Sequence, residues 1–330
     1  MTQVSNTPVA ATDVSFDDSR RLLESLRAAL NRTVVGQDAL VEHVVTALFA
    51  GGHVLIEGLP GLGKTQLAKG LAASLGLPGT RVQCTPDLMP SDITGTEVIG
   101  AGGQFEFRPG PVFSEFVLVD EINRATPRAQ SALLEAMQER QVTHAGVTRR
   151  LPEPFHVLAT QNPIDLEGTY PLPEAQLDRF LFKLSVPYPT RHSLRALLDV
   201  ALDAEPAEAL KPICNGATVL GVIERCRSVL ISERCKSAAV DLILATQPAG
   251  EGPARFIRFG ASPRALQALI RAARVRAVMA GRSHLDVEDI AAVALPVLSH
   301  RVLLRFEGEL DGSTEQSVLE GLIQAWRSRL

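Results

Sequence analysis

The chain has 330 residues, 45% hydrophobic, 5% aromatic and 21% charged, with a formal net charge of −4. That apolar share suits a packed globular protein with one large core or two smaller ones, and excludes a disordered or fibrous chain. The slightly acidic balance excludes the overall basicity of a protein devoted to nucleic acid, leaving room only for a local basic patch.

Cys84, Cys214, Cys226 and Cys235 lie too far apart for a CxxC metal or redox site and read as reduced thiols. The start of the chain is polar and lacks a basic stretch followed by an apolar core, so no signal peptide is expected. No apolar run approaches the roughly 20 residues that span a bilayer. The expectation is a cytoplasmic protein without membrane insertion.

In chain order, residues 1–17 read as a flexible tail, and a helix is predicted from about Ser19 to Leu30. "HVLIEG", His53 to Gly58, is a short apolar run ending in glycine and reads as a buried strand. "KTQLAKGLAASLG" follows, with Leu67, Leu71 and Leu75 at helical spacing. Between them, Gly58, four residues, Gly63, Lys64 and Thr65 match GxxxxGK[ST], the phosphate-binding loop. Glycines let the backbone wrap phosphate oxygens and turn N–H groups inward, and the helix N-terminus adds a favourable dipole. Gly58, Pro60, Gly61, Leu62, Gly63 and Gln66 would surround the phosphates. Lys64 would reach the β- and γ-phosphates, and Thr65 would hold Mg²⁺.

"FVLVDE", Phe116 to Glu121, is an apolar run ending in two acids, as a central parallel strand covered on both faces would be. Asp120 would hold the Mg²⁺ shell, and Glu121 would act as general base on the attacking water. "FHVLAT" is a second such run, followed by Asn162 in "QNP". An amide there can orient a water or touch the γ-phosphate, although Asn-Pro alone is a turn signal. Residues 86–110 and 139–152 interrupt the strand–helix alternation. Each reads as a hairpin, one around a Gly-Gly turn and the other near Ala145-Gly146. Either could be plain loop elaboration. His144 and His156 lack metal-ligand spacing.

"VPYPT", Val186 to Thr190, holds two prolines and reads as a hinge. Helical patterns follow, among them "RHSLRALLDVAL", "ATVLGVIERCRSVL" and "SAAVDLILATQ". In "SPRALQALIRAARVRAVMAG", Leu266, Leu269, Ile270, Ala273 and Ala277 share a face, with Arg271 and Arg274 off it on a solvated one. Ser262 reads as an N-cap, Pro263 as N1 and Asp286 as a further N-cap. Arg264 then lies in a first turn, against the dipole preference, which suggests an anionic partner. Arg179 follows Asp178, and chemistry alone leaves two readings: a local surface ion pair, or a cation supplied in trans to a phosphoryl transition state. The fold class is α/β, a parallel sheet flanked by helices over 18–190, followed by a small all-helical domain over 191–330.

These pieces, taken with "VVGQDALV", "TPDLMPSDITG", "DEINRATPRAQSALLEAMQERQVT", "ATQNP" and "LPEAQLDRF", resemble the AAA+ ATPases, and among them the MoxR branch. The resemblance covers nearly all of the chain after about residue 20. It implies an ATPase using ATP and Mg²⁺, with Val35 and Gly36 framing the adenine. It further implies Asn162 as sensor 1, Arg179 as the arginine finger for a neighbouring subunit, and Arg264 as sensor 2 on a lid. Gln83 falls where such proteins often restrain the catalytic glutamate, and Arg124 is a further candidate at the subunit boundary. The two hairpins would face the pore or the client.

The resemblance also implies a homo-oligomeric ring, a hexamer. Its partner would be a separate von Willebrand A-domain protein or a metalloenzyme client, in complex maturation or metal-cofactor insertion. Nucleic acid is not an expected partner. The alternative is a nucleic-acid motor related to AAA+ helicases, for which the hairpin arginines Arg140, Arg149 and Arg150 speak, but neither the net charge nor any added basic module does. A non-hydrolysing nucleotide switch is disfavoured by the complete set of acids and arginines.

Overall fold

The computed structural model describes residues 11–34, 36–100, 103–163, 168–191, 193–195, 211–249 and 252–330. Val35 and most of "RHSLRALLDVAL" lie outside the described residues.

Helix α1 (Phe16–Thr33) opens at Ser15, whose hydroxyl accepts from the Asp18 amide, with Asp17 and Asp18 in the first turn. It starts earlier than the apolar pattern indicates. The segment before it is docked: Thr12 N donates to Ala217 O at 3.1 Å, and Arg225 Nε donates to Val14 O at 2.7 Å. Within the segment expected to be a loose tail, Thr12 to Asp17 are therefore held in place, by a C-terminal helix and by the first turn of α1. Helix α2 (Asp38–Phe49) follows.

The sheet contains β1 (Val54–Glu57), β2 (Gly79–Gln83), β5 (Phe116–Asp120), β8 (His156–Gln161) and β9 (Phe182–Ser185), in the spatial order β2-β5-β8-β1-β9, all parallel. Helix α3 (Lys64–Leu75) joins β1 to β2, and α5 (Pro127–Glu139) follows β5. Side chains alternate between the faces of a strand, so a strand covered on both faces must be apolar throughout. Val54, Ile56, Phe116, Leu118 and Leu158 enter one buried cluster, shared with α1, α2, α3 and the C-terminal helices. Leu55, Val117, Val119, Val157 and Ala159 enter another, with Leu133, Leu134 and Met137 of α5. The uninterrupted apolar runs in the sequence thus reflect two separate cores, one on each side of the sheet.

Both hairpins form. After the short helix α4 (Pro90–Thr94), β3 (Gly95–Ile99) pairs antiparallel with β4 (Phe105–Pro109). A Cβ on Gly95 would lie 2.4 Å from Arg108 O and one on Gly110 2.4 Å from Ile93 O, so the base of this hairpin closes only with glycine. β6 (Gln141–His144) pairs with β7 (Val147–Arg150) through a turn in which Ala145 and Gly146 have φ of 49° and 76°. The hairpins touch: the Arg149 guanidinium lies 4.0 Å from the Phe107 ring centroid, and His144 packs on the same ring at 5.8 Å.

Past the short helix α6 (Glu174–Leu177) and β9, the C-terminal part holds α7 (Gly216–Arg227), α8 (Glu233–Ala245), α9 (Pro263–Met279), α10 (Val287–Leu298), α11 (Phe306–Leu310) and α12 (Glu315–Arg327). A short antiparallel pair, β10 (Ile257–Phe259) with β11 (Leu303–Leu304), interrupts the helices. On α9, Leu269, Ala273 and Ala277 are fully buried, and Leu266 and Ile270 pack against the same core. Asp286 caps α10 as predicted, in a reciprocal box with Asp289. Ser262 occupies the N-cap position of α9, but its side chain makes no cap bond. No described helix is long and apolar enough to cross a membrane.

Candidate active site

Parallel strands bring their carboxyl ends to one edge of the sheet, where ligands of open α/β sheets bind. Here Glu57 is in register with Gln161, and Gln83 with Asp120. The loop after β1 therefore sits beside the ends of β8, β5 and β2.

That loop runs from Gly58 into α3. Gly61 and Gly63 have φ of 81° and 78°, a region that favours glycine. Gly63 occupies the N-cap without a side-chain cap, which leaves the first N–H groups of α3 facing the loop. A Cβ on Gly61 would meet nothing within 4 Å, so the loop's outer side is open. Lys64 Nζ turns back to donate to Gly58 O, with Gln161 O at 3.4 Å. Burial lowers its pKa, and Asp120, Glu121 and Glu57 oppose that shift. An open cradle of N–H groups with a lysine and two nearby acids suits a nucleotide phosphate chain and its metal ion. Thr65 follows Lys64 in the first turn of α3, and Gln66 is exposed beyond it.

Asp120 is buried at the end of β5. Arg81 Nε donates to its Oδ2 at 2.7 Å, and Thr160 Oγ1 donates to its Oδ1 at 3.2 Å. Glu121 stands in the left-handed region with φ 56°, and Thr160 Oγ1 accepts from its amide at 2.9 Å. Such strain in a non-glycine residue clusters at functional sites. Gln83 Nε2 donates to Glu121 Oε2 at 3.2 Å, and Arg124 Nε pairs with the same oxygen at 3.1 Å. Arg81 also donates to Gln83 Oε1 at 2.7 Å. Arg81, Gln83, Asp120, Glu121 and Arg124 thus form one network. Arg81 and Thr160 were not singled out from the sequence. The only signal for Thr160 is a polar residue near the end of the apolar strand β8, and Arg81 stands on the mostly exposed edge strand β2, where a polar residue is unremarkable. Asn162 is buried past β8, and its carbonyl accepts from Asn123 Nδ2 at 3.3 Å.

Gln37 Nε2 donates to Leu62 O at 3.0 Å, which ties the segment before α2 to the phosphate loop. Beside it lies a cavity of about 500 Å³, lined by Gly36, Gln37, Tyr188, Thr190, Leu295 and Pro296 among others. Gly36 has φ 74°, and a Cβ there would lie 2.4 Å from Ser193 Oγ. The cavity lies between the predicted hinge and the C-terminal helices.

Arg179 and Arg264 take partners outside this network. Arg179 donates to Leu134 O on α5 at 2.9 Å and lines a surface hollow with Ser131, Glu135 and Glu139. Among the described residues the Asp178 carboxylate pairs instead with the C-terminal Arg301, at 2.6 Å, and Arg264, at 3.7 Å. The local Asp178–Arg179 ion pair is thus replaced by pairs to the C-terminal unit.

Comparison with known proteins agrees with this arrangement. Residues 53–182 match the ATPase family associated with various cellular activities (AAA), and residues 253–322 match the AAA lid domain. The chain is 40% identical to Chaperone MoxR1 of Mycobacterium tuberculosis, over 92% of this chain and 81% of that protein. It is 34% identical to Protein MoxR of Methylorubrum extorquens, over 88% and 90%. It is 39% identical to the uncharacterized protein YeaC of Bacillus subtilis, over 94% and 95%. A crystal structure of a Cytophaga hutchinsonii protein superposes with a TM-score of 0.86 at 37% identity, covering 94% of this chain and 95% of that one. With its phosphate loop, acidic strand end and helical lid, the chain belongs to the MoxR-type AAA+ ATPases.

Proposed function

We propose that the protein couples ATP hydrolysis to remodelling of a protein partner, as a homo-oligomeric ring, a hexamer, in the cytoplasm. The observation that carries the ring is Arg179. In its own chain this arginine reaches α5 instead of the phosphate loop, so a nucleotide it serves belongs to a neighbouring subunit. A heterologous interface that repeats and closes makes a ring.

Within one subunit, Val35 and Gly36 frame the adenine. The backbone of Gly58 to Thr65, with Pro60, Leu62 and the adjoining Gln66, encloses the phosphates. Lys64 leaves the Gly58 carbonyl for the β- and γ-phosphates. Thr65 and Asp120 hold Mg²⁺, which supplies positive charge to phosphate oxygens. Glu121 takes the proton of the attacking water once it is released from Gln83 and Arg124, and Asn162 orients that water. Arg179 of the next subunit stabilises transition-state charge. Arg264 senses the γ-phosphate from the lid, which runs from about residue 191.

The name of the mycobacterial relative, Chaperone MoxR1, supports the remodelling role. The fitting partner is a von Willebrand A-domain protein or a metalloenzyme client, and the process complex maturation or metal-cofactor insertion. The nucleic-acid motor loses ground on one observation. Arg140 is committed to Gly51 O at 3.0 Å, and Arg149 stacks on Phe107, so the hairpin presents fewer cations for phosphates than its sequence suggested.

The test traps Glu121→Gln with ATP in lysate of the source organism and identifies what is recovered. A protein bound only with ATP supports the reading, and a von Willebrand A-domain protein or metalloenzyme subunit would name the partner. ATP-dependent recovery of nuclease-resistant nucleic acid without such a protein would sink it.

A further inference from the structure

Asp178 immediately precedes Arg179, and its carboxylate is shared between two lid arginines of unequal standing. Arg301 Nε holds Oδ1 at 2.6 Å, and the Arg301 side chain is only 4% exposed. Arg264 holds Oδ2 at 3.7 Å, and its side chain is 61% exposed. The same Arg301 guanidinium also donates to Asp178 O at 3.2 Å, Phe180 O at 2.6 Å and Leu181 O at 3.1 Å. One lid side chain therefore grips the backbone on both sides of Arg179. His300, its neighbour in sequence, adds a contact to Phe180 O at 3.1 Å. A lid that turns cannot leave the backbone of Arg179 where it was.

We infer that Asp178 is a positioning residue that makes the pose of Arg179 answer to the nucleotide in its own subunit. Arg301 is the fixed half of the link, and Arg264 is the exchangeable half. A long, exposed ion pair is weak. A γ-phosphate, with more negative charge and several acceptor oxygens, competes well for the same guanidinium. When Arg264 turns to that phosphate, Asp178 keeps only Arg301, and the loop carrying Arg179 follows the lid. Loading of one site thus sets the arginine offered to the next. This inference rests on the trans role of Arg179 and on Arg264 facing the nucleotide.

The test mixes subunits in equal amounts and compares ATP turnover. Wild type is combined with Glu121→Gln, with Glu121→Gln/Arg179→Ala, or with Glu121→Gln/Asp178→Asn. A Glu121→Gln subunit is inactive itself but still offers its arginine to its neighbour. The Arg179 double variant should leave about half the turnover that Glu121→Gln leaves, since random mixing puts a defective donor beside about half of the intact sites. The Asp178 double variant is expected to match it. Asp178→Asn alone should also bind ATP about two- to fivefold more tightly in its own site, because Arg264 no longer has a competing carboxylate. A merely structural residue would not tighten binding in one site while slowing the next.

If the Asp178 double variant behaves like Glu121→Gln while the Arg179 double variant lowers turnover further, the link is overturned and the trans arginine stands. If the Arg179 double variant also behaves like Glu121→Gln, the trans reading fails, and the link with it. Unchanged ATP affinity of Asp178→Asn overturns the exchange of Arg264. Should Asp178→Asn not co-assemble with tagged wild type, Asp178→Glu keeps the charge but shifts it by one methylene, and the subunit-mixing comparison is made with it: turnover equal to that left by Glu121→Gln overturns the link.

Discussion

At the scale of single residues, the site is built around acids that other groups already hold. Glu121 is fixed by its left-handed backbone and by two donors, Gln83 and Arg124. Glu121→Gln keeps the shape and removes the proposed base. Turnover should fall by at least ~100-fold while ATP affinity is kept, the range for loss of a general base. Phosphate release and nucleotide titration check both halves, and a variant that hydrolyses within tenfold of wild type would remove Glu121 from the role. Asp120 is a different case, because Arg81 occupies one oxygen of a carboxylate proposed to hold Mg²⁺. Arg81→Met keeps the apolar stem and removes the competing cation. With Arg81 half exposed, its pair is screened, so the Mg²⁺ concentration for half-maximal turnover should fall by no more than about fivefold. An unchanged or higher midpoint would mean that Arg81 does not compete with the metal. The phosphate loop and the Asp-Glu pair were legible in sequence because their chemistry is contiguous. Arg81, Thr160 and Asp178 were not, because their partners are far along the chain and only the sheet register and lid docking bring them together.

At the scale of elements, the strands are marked at both ends. The carboxyl ends carry the site, and the amino ends of β1 and β8 carry two buried histidines. His53 Nδ1 accepts from Val157 N at 3.0 Å, so its proton sits on Nε2, which donates to Met137 O at 3.3 Å. His156 Nδ1 donates to Gly52 O at 3.3 Å. Burial, then the nearby Arg140, pushes the His156 pKa down to about 3, and burial holds His53 well below its usual value. Both are neutral in the folded protein. In the unfolded chain they take up a proton near pH 6.5. Between those limits the unfolded state binds more protons, so stability is lost as pH falls below about 6.5 and is flat above it. Each histidine should remove about 1.4 kcal/mol per pH unit on the acid side. Urea unfolding at pH 7.0, 6.0 and 5.5 measures the slope. His156→Asn, whose amide can still donate toward Gly52 O, should shed one histidine's share, and an unaltered slope would place the proton uptake elsewhere. The strands β1, β5 and β8, both hairpins and the Asp286 cap followed from periodicity and turn chemistry, whereas β9 and the β10–β11 pair, set among predicted helices, did not. The docking of the segment before α1 did not either, because Val14 and Thr12 are held by α7, a partner no local pattern announces.

At the scale of the molecule, two kinds of contact hold the lid on the nucleotide domain. One is apolar: a single buried cluster runs from α1 and α2 through one face of the sheet into α9 and α10. Its contacts are numerous and not directional, so they resist separation more than they resist sliding. The other is Arg301, a buried cation whose hydrogen bonds fix the lid to the segment between α6 and β9. Burial lowers its pKa and Asp178 opposes that, so the charge is retained through its partner. Arg301→Met fills a similar volume but takes the Arg301 donor from the Asp178 carboxylate and from four carbonyls, those of Asp178, Phe180, Leu181 and Val297. Removing one member of a buried pair costs about 3–5 kcal/mol, which lowers the melting temperature on the order of 5–10 °C in a chain of this size. Trp326, the one tryptophan, lies wholly inside the lid, where its Nε1 donates to Ala238 O at 2.8 Å. It therefore reports on the lid's own fold and not on its docking. In Arg301→Met, amide exchange at residues 178–182 should accelerate while Trp326 fluorescence stays that of a buried indole. A variant in which both change together would show that Arg301 supports the lid's own core, and one in which neither changes would show that the apolar cluster and the remaining polar contacts, such as His300 to Phe180 O and Arg225 to Val14 O, hold the lid without Arg301.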